Sequence, residues 1–280
     1  MFGTERVNRA SGWRLFWMTM WARAFPRIIG VGRERSWLFF ETVLPLMGTV
    51  AYIFVYKALQ APEDYIGFVV LGGAMAAFWL NVLWSLAAQL YWDKDGGNLE
   101  LYVLCPGPMM AILLGMAIGG IVMASVRATF IVVICSLFFG VVFHVGSLPA
   151  LVLTFVLTMA ALYGLGMMFS SIYLAAGREA WHISNLLQEP IFLVSGFYFP
   201  VKSLGVWVAT FASIIPLTLG LDAMRQLLFV NDPTLGFLPI EVELGVLAVL
   251  GVVFITAAGW LLSKLEEIGR RDGRLIERRR

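Results

Sequence analysis

Charge is scarce in this sequence. Only 14% of its 280 residues are Asp, Glu, Lys or Arg, while 60% are hydrophobic. Soluble domains carry about a quarter charged residues and are about half apolar, so composition alone removes the chain from the soluble globular class. Cysteine is scarcer still. Cys105 and Cys135 stand at a spacing that suggests neither a disulfide framework nor a zinc site. The phosphate loop of an ATPase is also missing. That loop needs two glycines whose amides cradle phosphate, followed by Lys and Ser or Thr. The nearest run, Gly196 to Ser203 (GFYFPVKS), has Val201 where the second glycine belongs and is strongly apolar. There is no HExxH and no GxSxG, so an intramembrane protease or serine hydrolase is not indicated. Paired broken helices in inverted repeats are not evident, which leaves the secondary-transporter pattern unsupported. The first residues, Met1 to Gly12, lack the apolar core and cleavage site of a signal peptide, and Met1 is expected to be retained.

What is present in quantity is long apolar runs. A spanning helix needs about 20 mostly apolar residues. Six stretches qualify, at roughly 37–56, 66–91, 112–143, 148–174, 183–199 and 242–262. Glu189 and Pro190 interrupt the fifth, and the third is long enough to tilt or break. Sixteen of the 20 Lys and Arg residues fall before the first span, after the last, or in the loops after spans two and four. The positive-inside rule then puts both termini in the cytoplasm, which requires an even number of spans. The expected fold class is an all-α integral membrane protein with six transmembrane helices, an N-terminal amphipathic interfacial helix, and short re-entrant outer helices between spans five and six. Residues 1–36 form the cytoplasmic N-terminus, 37–262 the permease-like membrane domain, and 263–280 a basic cytoplasmic tail able to touch anionic lipid.

Three segments are not ordinary spans. Trp13, Phe16, Trp17, Met20, Trp21, Ala24 and Ile28 follow helical spacing, with Arg14, Arg23 and Arg27 beside them, as in a helix lying in the headgroup plane. The loop 92–110 reads WDKDGGNLELYVLCPGPMM. Gly96 and Gly97 end one helix and Asn98 can cap another, with Glu100 near its positive end. Leu99, Leu101, Tyr102 and Leu104 make this helix apolar, and Pro106 and Pro108 stop it. A compact helix between two spans suits the receipt of a push; an interfacial turn with no partner is the plainer alternative. The third segment, 189–229, is broken by Pro190, Gly196, Pro200 and Pro216 and is too apolar for a free loop. Leu217 to Phe229 reads as an outer helix with Asp222 and Arg225 spaced as a pair.

Polar residues inside the spans are costly and face the protein interior or a pathway. Gly73, Ala77, Asn81, Ser85 and Gln89 recur every four residues in span two. That face either packs another helix through small residues or lines the route of an amphipathic substrate. Gly115 and Gly119 form a packing groove, and Thr154 and Thr158 are read as packing residues. Arg127 is the basic group deepest in the membrane and is expected to pair with Glu41 or Glu189. His144 and His182 lie near span ends, where an interfacial position is the simplest assignment.

Together these segments resemble the type-2 ATP-binding cassette (ABC) exporter permeases. The residues that carry the resemblance are SGFYFPVKSL followed by IIPLTLGLDAMRQLLF, then GGNLELYVLCPGPMMAILLG, and the amphipathic helix before span one. Asn98 stands where the family usually has Ser or Thr. The resemblance implies a half-transporter that dimerises with a second permease copy or paralogue and pairs with two separate ABC ATPase subunits. Trp17, Trp21, Asn98, Leu99, Glu100, Leu101 and Tyr102 would then contact the ATPase. Asn81 and Ser85 would border the substrate pathway, and Phe197, Tyr198 and Phe199 would close it at the outer gate, unless these aromatics form only an interfacial belt.

The expected function is export of amphipathic molecules (drug, lipid or lipid-linked glycan) across the plasma (inner) membrane. No cofactor would be bound by this chain, since ATP and Mg would sit on the partner subunit. Membrane lipids are expected partners and nucleic acid is not. The alternatives are a polysaccharide or lipo-oligosaccharide exporter, an ion-coupled secondary transporter using Arg127 with Glu41 or Glu189, and a structural membrane scaffold.

Overall fold

The computed structural model describes residues 12–30, 35–62, 64–229 and 236–272. Its elements are α1 (Gly12–Gly30), α2 (Arg35–Ala58), α3 (Asp64–Leu80), a π-helical stretch (Asn81–Ala87), α4 (Gln89–Asp95), α5 (Leu99–Leu104), α6 (Met109–Phe139), α7 (Leu148–Ala176), α8 (Ala180–Val194), α9 (Val206–Ala212), α10 (Pro216–Leu228) and α11 (Ile240–Asp272). No strand forms among the described residues; His144 and Phe229 make an isolated bridge.

Five helices are long and apolar enough to cross a bilayer: Phe39–Ala58, the continuous Asp64–Asp95, Met109–Phe139, Leu148–Ala176 and Ile240–Glu267. In hydrocarbon, a helix satisfies its own backbone groups, which is why long apolar runs adopt it. The chain is a multi-pass, all-α membrane protein. The span expected at 183–199 is shorter than the others. Its helix α8 has 15 residues, about 22 Å at 1.5 Å per residue, against a hydrocarbon core of about 30 Å. It gives way at Ser195 because Gly196 turns the backbone to φ +68°, a conformation that favours glycine. Helices α9 and α10 follow as a pair bent by 111°, the sharp break expected between the last two spans. The third span is one unbroken helix, ended by Gly140 in the left-handed conformation. The last runs on to Asp272, so the tail expected at 263–280 begins as helix; its remainder, 273–280, lies outside the described residues.

Helices α3 and α4, with the π stretch between them, form the centre of the bundle. Of their apolar window 83% is buried, against 17% for α2. A helix that is apolar all round belongs in such a centre, and Phe68, Trp79, Leu83 and Leu86 are all enclosed. On α2, by contrast, Phe39, Phe40, Leu44, Met47 and Phe54 are exposed.

Small residues set the close approaches, as they do where helices pack in lipid. Gly164 of α7 faces α11, where an added Cβ would lie 3.0 Å from the Ile255 side chain. On α6, a Cβ at Gly115 or Gly119 would lie 2.9 Å from the Cβ of Arg23 or Arg27. The Gly115–Gly119 groove therefore receives α1, which packs along the first turns of α6 in the same direction. The bundle has two distinct ends. One carries the α4–α5–α6 connection. The other carries α10, whose neighbour Phe229 meets Gly67 near the start of α3, and whose Gln226 reaches Glu243 near the start of α11.

Candidate functional site

At the α5 end, the side chain of Asp93 gathers three elements. Arg23 of α1 donates to its Oδ2 at 3.2 Å, Tyr102 of α5 donates its hydroxyl to the same oxygen at 2.9 Å, and Gln89 of α4 donates to Oδ1 at 3.0 Å. The Arg23 guanidinium also stands 5.1 Å from the centre of the Tyr102 ring, within cation–π range. Asp93 is buried, and an enclosed carboxylate with three donors is a satisfied one. Burial and the neighbouring carboxylate push the Tyr102 phenol above its ordinary range, so it remains a donor at physiological pH.

Helix α5 has an inner and an outer side. Leu99 is buried and Tyr102 is turned to Asp93, while Leu101 and Leu104 are 64% and 80% exposed. Asn98 stands at the N-cap, but its side chain makes no capping bond. Its dihedrals are already helical (φ −75°, ψ −21°), whereas a capping side chain reaches the first turn from an extended backbone. The turn is made instead by Gly97 at φ +80°. The Glu100 side chain lies outside the described residues. On α1 the expected single apolar stripe divides. Met20 and Ala24 are buried, their backbone lying against Gly115 of α6, while Trp13, Trp17, Trp21 and Phe25 are exposed.

Deeper in the bundle, the π stretch is a junction. A π-helix shifts hydrogen bonding by one residue and locally frees backbone groups; such bulges recur at functional sites. Arg27 of α1 donates to the carbonyl of Ser85 and, at 3.3 Å, to that of Met116 on α6. Ser170 of α7 donates to the carbonyl of Leu86 at 2.7 Å. Tyr163 of α7 donates to Asn81 Oδ1 at 3.0 Å, and Trp84 donates to Gln188 of α8 at 2.8 Å. Asn81 is thus buried between α6 and α7, and the Ser85 carbonyl is taken by α1. Within the repeating polar face of span two the Asn81 side chain is packed inside the chain, while Ser85 and Gln89 are half-buried. Gly73 and Gly120 belong to the same packing, against Thr49 and Asn81 respectively.

Arg127 of α6 pairs with Glu41 of α2. Glu189 is not part of this pair: it is exposed on α8, beside the Gln188 amide at 3.1 Å. The expected outer aromatics are also separated by the structure. Phe197 is fully buried, its ring centre 4.7 Å from that of Phe192, and its carbonyl lies so close to Gly72 that no side chain fits there. Tyr198 stacks on Tyr52 of α2 at 4.0 Å, and Tyr56 donates to the Tyr198 carbonyl at 2.9 Å. Of the three, Tyr198 therefore meets α2 directly, Phe199 is half-buried, and Phe197 is core.

Arg225 of α10 does not pair with Asp222 as its spacing suggested. It donates to the carbonyls of Gly196, Phe197, Phe68 and Phe199 at 2.7, 2.8, 3.1 and 3.3 Å. The turn after α8 leaves carbonyls without helical partners, and a guanidinium with five donors is suited to collect them. Asp222 instead accepts from the Phe237 amide at 2.7 Å and from Gln226 at 3.1 Å. Asp93 and Arg225 were passed over as site residues in the sequence. The i, i+4 spacing of Gln89 and Asp93 was the available signal for the first.

An amphipathic helix docked beside a short loop helix at one end, a central span that both contact, and a sharply bent helix pair at the other end mark the chain as a multi-pass membrane protein with two unlike ends. The sequence pattern of the ABC-2 type transporter family matches residues 16–229, and the chain belongs to that family. It is 24% identical over 172 residues to the probable multidrug ABC transporter permease YbhR of Escherichia coli strain K12, a match covering 61% of this chain and 46% of that protein. The protein of the same name in Escherichia coli O157:H7 matches to the same extent. The chain spans about half the length of the curated relatives it matches.

Proposed function

We propose that this chain is the membrane-spanning permease subunit of an ATP-driven exporter, moving amphipathic molecules such as drugs, lipids or lipid-linked glycans outward. It has no ATP-hydrolysing role of its own and works with a separate ABC ATPase, which holds ATP and Mg, in the plasma (inner) membrane with both termini cytoplasmic. The observation that carries this reading is the α5 end. Apolar side chains of α5, Leu101 and Leu104, are left uncovered beside a firmly anchored base, as a surface made to receive another subunit would be. Membership of the family and the multidrug permease likeness support the same class.

The uncovered apolar face of α2 supports pairing with a second permease, with cargo passing along the faces so joined. Tyr52 of α2 stacked on Tyr198 gives that face an aromatic end, suited to closing a dry route. The charges of span-embedded Arg127 and Glu41 are used on each other, which favours an apolar or lipid-bearing cargo over a highly charged one.

The test is transport of an amphipathic fluorescent substrate in inside-out vesicles containing the chain and its ATPase. Uptake should require hydrolysable ATP and persist when ionophores dissipate the ion gradients. Uptake that ignores ATP and collapses with the gradients would replace this reading with ion coupling.

A further inference from the structure

Helix α1 meets the end of the central span at two places. At Asp93, Arg23 of α1 binds the end of α4. One turn further along α1, Arg27 binds the Ser85 carbonyl eight residues earlier, inside the π stretch. Residues four apart on a helix share a face, so a single face of α1 brackets the segment from Ser85 to Asp93. The bracket is seated in turn on Gly115 and Gly119, directly beneath Arg23 and Arg27.

Among its described residues, helix α5 enters this bracket through Tyr102, whose hydroxyl bonds Asp93 and whose ring lies under the Arg23 guanidinium. It is a six-residue helix set between Gly96–Gly97 and the Pro106–Gly107–Pro108 turn. Its inner side offers Leu99 to the core and the Tyr102 hydroxyl to Asp93. Apolar contact through Leu99 resists separation but has no directional preference. The hydrogen bond to a charged acceptor is directional, and stronger than a neutral one. The directional link from α5 is therefore the Tyr102–Asp93 bond, beside the less directional contact of the Tyr102 ring with Arg23. From Asp93 it divides, to α1 through Arg23 and along α4 into the π stretch, and the two branches rejoin at Ser85.

We infer that Asp93 is a positioning residue for transport, the point at which movement of α5 is passed to α1 and to the π stretch of the central span. This rests on the proposed function, in which an ATPase moves α5. Asp93 touches neither cargo nor nucleotide in this account; it sets the direction in which α5 moves the span.

The experiment uses the full chain assembled with its ATPase in proteoliposomes. Transport per ATP hydrolysed is measured for each assembled complex, for wild type, Asp93→Asn, Arg23→Gln, Tyr102→Phe and the Arg23→Gln/Tyr102→Phe pair. In Asp93→Asn the ratio should fall roughly tenfold, the size expected for losing a charge-assisted contact. Each single variant should lose part of that, and the pair should lose no more than Asp93→Asn, because both act through one carboxylate. Tyr102→Phe removes one oxygen and tests the branch to α5 even where Asp93→Asn assembles poorly. An unchanged ratio across all the variants overturns the inference. So does a fall in the quantity of assembled complex with the ratio in the remainder unchanged, since that is what a purely structural contact gives. Failure of the wild-type chain to transport with any ABC ATPase would instead remove the proposed function itself.

Discussion

Arg27 in α1 donates its guanidinium to the main-chain carbonyl of Ser85, inside the π-helical stretch of the central span. A helix outside the set of spans thus satisfies a carbonyl within the most enclosed span of the bundle. The same guanidinium bonds the Met116 carbonyl of α6. Arg27→Ala should leave both acceptors without this donor and lower stability by about 1–3 kcal/mol. Arg27→Lys should recover part of that, because one ammonium cannot serve both carbonyls with the geometry of a planar fork. Thermal unfolding in detergent checks the order wild type, Lys, Ala; equal midpoints would contradict it.

The Arg127–Glu41 pair makes a sharper contrast. Glu41→Gln leaves an enclosed cation facing an amide, and the loss should be on the order of 3 kcal/mol. Glu189→Gln should change little, because Glu189 is exposed on α8 and has no part in the pair. Replacing Arg127 and Glu41 together by Leu should be milder than Glu41→Gln alone, since no charge is then stranded. Expression level and unfolding midpoint of the four proteins measure this directly.

Arg225 should behave as the clamp of the α10 end. Arg225→Gln cannot serve the carbonyls of Gly196, Phe197 and Phe68 together. The expected outcome is faster amide hydrogen exchange across residues 195–204 with exchange in α6 and α7 unchanged, a local opening in place of global unfolding. Uniform acceleration throughout the chain would count against a local clamp.

Leu101 and Leu104 separate docking from folding. Both are exposed, so Leu101→Asp or Leu104→Asp should leave the unfolding midpoint within about 0.5 kcal/mol of wild type, as for ordinary surface changes. Recovery of the ATPase with the tagged chain should fall. Undiminished recovery in the double variant would move the docking surface away from α5.

Much of this fold was legible because hydrophobic run length is a strong signal in lipid. Five of the six expected spans coincide with long helices, and the GxxxG groove at Gly115 and Gly119 is indeed a packing surface, with α1 as its occupant. The parts the sequence left open share one cause: short-range spacing says which residues share a face and not what lies opposite it. Asn81 and Ser85 share a polar face, and spacing does not say that Tyr163 meets the Asn81 side chain or that Arg27 takes the Ser85 carbonyl. Arg225 has an acid three residues before it, yet the turn after α8 brings it better acceptors. Asp93 sits in WDKDGG and looks like a solvated loop charge; its partners Arg23 and Tyr102 are 70 and nine residues away. The π stretch has no sequence pattern of its own and shows only in the backbone.

The central claim is that this membrane subunit works with a separate ATPase. The most direct measurement is purification of the tagged chain from its native membrane in mild detergent, with mass spectrometry and an ATP hydrolysis assay on the eluate. The account predicts a stoichiometric ATP-binding cassette protein and ATP turnover in the same fraction. A chain that elutes alone, with no turnover even after crosslinking, would contradict it.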